Sequence, residues 1–150
     1  MGNSFNCNDN VRVKLTKFGE EILRKYRLRM TQQYGSNAPK FFKTEDGFYI
    51  FKMIDLIEIF GVYLQDGKRM HPNPFSGKIQ REEGGEIHKI GIRLTDFGEV
   101  ILKKYELDPE LNSEGYHVIN DIIDLIKFFG SDITFDYNGP LPFEENIIIL

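Results

Sequence analysis

Six basic side chains fall between residues 24 and 43: Arg24, Lys25, Arg27, Arg29, Lys40 and Lys43. Cations gathered this closely can bind an anion such as nucleic acid or a nucleotide. Lysine and arginine at the end of a helix also complement its dipole, which is a purely local reason for them. The other chemistry-bearing residues are scattered. His71, His88 and His117 have no neighbours at metal-ligand spacing. Asp55 and Asp124 recur in the same Ile-Asp-Leu setting, where two carboxylates could share acid–base work. On an amphipathic helix, however, acids belong on the solvent side, opposite the Leu/Ile/Phe stripe. Ser113 has no recognisable triad around it, and no phosphate loop or nucleophile elbow is present. The one cysteine, Cys7, excludes an internal disulfide. We therefore expect no catalytic residues, no metal site and no cofactor, and we do not expect an enzyme.

The elements that must position these residues are written twice. Val11–Leu28 matches Ile90–Leu107 at ten of eighteen positions. Met53–Gly61 matches Ile122–Gly130 at six of nine, and Pro72–Phe75 returns as Pro140–Phe143. Three blocks in the same order indicate a duplicated unit, with repeats at 10–81 and 86–150. In each, alternating apolar residues (Val11, Val13, Leu15) predict a strand with one buried face. Thr16 and Thr95 are placed as helix N-caps. Phe18, Ile22, Leu23 and Tyr26 form a helical stripe, repeated as Phe97, Ile101, Leu102 and Tyr105. Gly47–Phe51 and Gly115–Ile119 read as short strands, and a second stripe begins at Met53, with Gly61 expected just past the helix end. The fold class is α+β, two tandem β-α-β-α-(β) repeats packed as a pseudo-twofold intramolecular dimer. The polar N-terminus reads as a frayed end, and no apolar run approaches the roughly 20 residues of a membrane helix.

The order LT-x-x-G-x-x-I-L, a Gly-aromatic strand, DL-x-x-x-FG and PF-x-x-N-x-I resembles small uncharacterised proteins of phages and mobile elements in Gram-positive bacteria. The second repeat carries the whole pattern, from Leu94, Thr95 and Gly98 through Asp124, Leu125 and Gly130 to Pro142, Phe143, Asn146 and Ile148. The first repeat departs at its end, where Lys78 replaces the tail asparagine. The resemblance implies an accessory phage protein that binds a host component or a host immune signal. It brings no catalytic residue with it.

Charge separates the copies. Residues 1–81 hold 14 Lys+Arg and 8 Asp+Glu, while residues 82–150 hold 5 and 15, so the halves carry near +6 and −10. Where the first repeat has its basic cluster, the second has Glu106, Asp108, Glu110 and Glu114. The fold accepts either sign, so folding alone does not demand the cluster. The halves attract each other within or between chains, or the basic half binds an anion, or the charges are solvated drift. The function expected is a phage-encoded binding or inhibitor protein that blocks or sequesters a host factor in the host cytoplasm. The partner would be a host protein. The alternatives are a small nucleic-acid-binding regulator and a sponge for a nucleotide-derived immune signal. Complementary halves also allow a homo-oligomer. A repeat of this size buries too little apolar surface alone. Residues 86–150 expressed alone should therefore dimerise or remain unfolded in sedimentation and circular dichroism, and a stable folded monomer would sink the shared-core reading.

Overall fold

A computed structural model describes residues 4–65, 72–130, 132–133 and 139–150. Among these, the chain is α+β, with four α-helices and two antiparallel sheets. The first sheet has the order β3-β2-β4, formed by Tyr49–Lys52, Asn10–Leu15 and Phe75–Arg81. The second contains β6 (His117–Ile119), β5 (Ile90–Ile92) and β7 (Asn146–Ile149) in the corresponding order, with β1 (Ser4–Asn6) added beyond β7. Helix α1 (Lys17–Tyr34) follows β2 and α2 (Met53–Gln65) follows β3; α3 (Asp96–Lys104) and α4 (Ile122–Phe129) follow β5 and β6.

Alternation in β2 works as the pattern predicts: Val11 and Val13 are buried while Asn10 and Lys14 are exposed. The duplicated motifs also meet in space. Thr16 caps α1 by accepting from the Gly19 N–H, and its hydroxyl donates to the Asn73 carbonyl at 2.7 Å. Its backbone N–H donates to Pro74 at 3.0 Å. Thr95 repeats every part of this with Gly98, Leu141 and Pro142. A Cβ on Gly19 would collide with the Pro74 carbonyl oxygen, and one on Gly98 with that of Pro142. The threonine, the glycine and the proline turn are thus one device, which is why these blocks recur together.

Two expectations need correction. Gly61 does not end its helix. It is buried inside α2, where it meets Gly130 of α4 backbone to backbone, and a Cβ on either glycine would strike the other residue. The segment Ser4–Asn6 is a strand, not a frayed end. Phe5 of β1 sits opposite Ile147, and the Cys7 and Asp9 carbonyls accept from the first N–H groups of α2. Cys7 is fully buried there, and loss of solvent pushes its thiol up to about 11. The two first helices also differ in length. Eighteen residues separate Leu28 from Gly47, but seven separate Leu107 from Gly115. In the second repeat Glu106 turns to φ 55° and Pro109 forbids further helix. In the first repeat α1 runs on to Gly35, whose φ of 59° suits glycine.

One hydrophobic cluster runs from Phe5 to Ile147 through both repeats. Phe51, Phe60 and Phe75 stack edge to face in its first part, and Phe129 meets Phe143 at 5.5 Å in its second. Two glycine substitutions separate packing from backbone strain. Gly61→Ala should cost more than about 3 kcal/mol, because backbone stands where the methyl must go. Gly35→Ala meets nothing within 4 Å and should cost only about 2 kcal/mol, from backbone strain at φ 59° and ψ −129° alone. Urea denaturation of both variants compares them directly, and equal losses would overturn the account of the glycine contact.

Candidate binding surface on the first repeat

The eleven residues by which the first repeat exceeds the second build a groove. It has a volume of about 470 Å3 and lies between the second half of α1 and the segment 35–42. Arg27 and Thr31 form one wall, with Pro39, Lys40, Phe41 and Phe42 forming the other. The wall is pinned by Arg27, whose Nη2 donates to the Phe41 carbonyl at 2.7 Å while its guanidinium lies 5.9 Å from the Tyr49 ring. Phe41 packs inward against Phe51, leaving Phe42 to point outward at 71% exposure. Lys40 is exposed and has no hydrogen bond or ion pair to a described residue.

The six basic residues therefore divide into three groups. Arg27 and Lys40 meet at the groove, Arg27 half-buried and structural, Lys40 exposed on the rim. Arg24 and Lys43 are tied to acids of α1. Arg24 pairs with Glu21, whose carboxyl is held below its usual range by that hydrogen bond. Lys43 reaches Glu20 at 3.5 Å, and the Tyr49 hydroxyl donates to the same carboxylate at 2.8 Å. Arg29, with Lys25 one turn before it, lies on another flank. It stands 6.0 Å from the Tyr26 ring, and the Tyr26 hydroxyl reaches Glu58 of α2. Burial raises the Tyr26 phenol, with Glu58 and Asp55 adding to the shift. The expected basic cluster is thus a cationic face interleaved with Glu20, Glu21 and Glu58, with the groove at one end of it.

The remaining candidates take structural places. Asp55 and Asp124 are first-turn acids of α2 and α4, where the helix dipole favours them. Neither is on the open solvent face as expected: both are half-buried, and burial raises their pKa. His88 is exposed beside Glu86 at 3.0 Å. His117 lies on β6 with its Nδ1 buried and unbonded among the described residues. His71 lies outside the described residues. Among the described residues no three His, Cys, Asp or Glu side chains are placed to hold a metal ion, and no helix is long and apolar enough to cross a membrane.

The groove escaped the motif reading because, Arg27 apart, its residues belong to no repeated block. Its signal was the unequal spacing from Leu28 to Gly47 and from Leu107 to Gly115. Arg27→Ala should lower stability by about 1.5–3 kcal/mol, the range for a lost hydrogen bond to a charged group. It should also open the 35–42 segment to protease. Arg24→Ala should leave the melting temperature unchanged, since its pairing is solvent-exposed. Thermal melts and limited proteolysis of the two variants test this division of roles. Comparison of the chain with protein-family models, with characterised proteins and with solved structures finds no match.

Proposed function

We propose that the chain is a non-enzymatic binding protein, of the phage-encoded inhibitor kind, that blocks or sequesters a host protein in the host cytoplasm. The observation that carries this reading is the groove on the first repeat. The second repeat forms the corresponding sheet order and helices without those eleven residues, so folding does not require them. What flanks them is outward-facing: Lys40 and Phe42 on the rim, and Leu28 half exposed on α1. An apolar anchor ringed by cations suits an acidic protein surface carrying an aliphatic or aromatic side chain. The phage-protein resemblance supports the inhibitor role and the host setting.

A nucleic-acid regulator is the second reading. Phe42 stands between Lys40 and Lys43 in the sequence, and an exposed ring among cations can stack a base. Two features favour protein instead. Glu20 and Glu21 interrupt the positive face. The groove also sits beside the carbonyl end of α1, where the helix dipole opposes a phosphate.

The test is capture from a host lysate on immobilised full chain, with and without nuclease, comparing wild type with the Lys40→Glu/Phe42→Ala variant. A bound protein that survives nuclease and is lost with the variant is the expected result. Capture that vanishes with nuclease would transfer the function to nucleic acid, and capture indifferent to the variant would remove the groove from it.

A further inference from the structure

The second repeat carries a surface opposite in character to the groove. Where Lys40, Phe42 and Lys43 stand in the first repeat, Asp108, Glu110 and Leu111 stand in the second, counting back from Gly47 and Gly115. The acidic stretch is not a loose loop. Leu111 forms a β-bridge with His117, and the Val118 N–H donates to the Glu110 carbonyl at 2.6 Å. Asn112 closes the turn that follows, accepting from the Glu114 and Tyr116 N–H groups. The segment is therefore held extended along the edge of β6 before any partner arrives. Asp108, Glu110 and Glu114 are exposed, and Leu111 projects among them at 60% exposure. Such an acidic ridge with one aliphatic anchor is the chemistry that the groove is shaped to take. Both surfaces remain open in the single chain, so neither covers the other within one molecule.

We infer that the groove receives the 107–114 segment of a second copy of this chain, with Leu111 seated against Phe42 and the carboxylates of Asp108 and Glu110 facing Lys40 on the rim and Lys43 three residues on, the latter shared with Glu20. The net charges of the two halves point the same way, near +6 against −10, and steer the copies into a head-to-tail approach. Because the ridge is already ordered, docking loses little conformational entropy. The contact is heterologous, leaving a free groove at one end and a free ridge at the other, so assembly continues until a ring closes or an acidic partner occupies the last groove. Complementarity of the two halves carries this inference independently of the host partner proposed above. Capture of a host protein by a chain that never self-associates would leave that reading standing and overturn this one.

Sedimentation velocity of the full chain, over a range of concentrations at low salt and at about 0.5 M salt, reads the assembly directly. The average mass should rise with concentration at low salt, with the dissociation constant weakening at least about tenfold at high salt. Reversing the two lysines (Lys40→Glu with Lys43→Glu) should abolish association, as should reversing the ridge (Asp108→Lys with Glu110→Lys). The four substitutions combined restore opposite charges across the contact and should restore assembly. Circular dichroism checks that each variant is folded. A chain monomeric at every concentration overturns the inference. So does assembly that survives either reversal, or one that the combined variant fails to recover.

Discussion

Everything in this molecule is arranged around two helices that touch through glycine. Gly61 and Gly130 bring the backbones of α2 and α4 together with no side chain between them. At that separation Leu56, Ile57, Phe60, Leu125, Ile126 and Phe129 all become fully buried from the two helices. A methyl at either glycine would push the helices apart and open this shared centre. The strand entering the first repeat, β1, joins the sheet of the second. Ile87, on the way into the second repeat, bonds back to Ile79 in the sheet of the first. Each half is completed by backbone belonging to the other, so neither half has a closed core of its own.

Within each half, the threonine cap carries the next level of order. One hydroxyl accepts from the helix and donates to the proline turn, fixing the angle between α1 and the start of β4, and likewise between α3 and β7. The glycine three residues later lets the proline carbonyl reach the helix. This geometry tolerates no side chain and little displacement. Charges on the outer faces of the same helices contribute little by comparison, since exposed pairs are worth at most about 1 kcal/mol. The two helices keep Thr, Phe, Gly, Ile, Leu and Tyr at matched positions while their surfaces differ in sign.

The fold was legible in the sequence wherever periodicity or capping decided it. Strand alternation at Val11 and Val13, the Thr16 and Thr95 caps, and the helical stripes stand where the pattern put them. What could not be read was contact between distant segments. A glycine at the end of an apolar stripe reads as a helix stop, and only the approach of Gly130 shows why Gly61 stays helical. The polar start "NSFNCND" hides Phe5 and Cys7, which are core residues because another part of the chain supplies their sheet and helix. The candidate site was half legible. Composition marked the basic face, but linear spacing could not separate Arg27, turned inward to Phe41, from Lys40, turned out beside Phe42.

Matched blocks in one chain leave the two halves free to carry opposite charge. Two identical subunits assembled about a twofold axis must present the same surface twice. A basic cluster on one would be a basic cluster on both, and repulsion between them would grow with every added charge. Once both copies lie in one chain, each position is free to change alone. The core-facing residues remain constrained, because Gly61 and Gly130 or Thr16 and Thr95 do the same work in each half. The outward positions are not, and there the sequence diverges: lysine against aspartate at 40 and 108, phenylalanine against glutamate at 42 and 110, and eleven residues present in one half alone. Divergence falls where exposed charges contribute at most about 1 kcal/mol, while the glycine contact and the threonine caps hold the frame fixed.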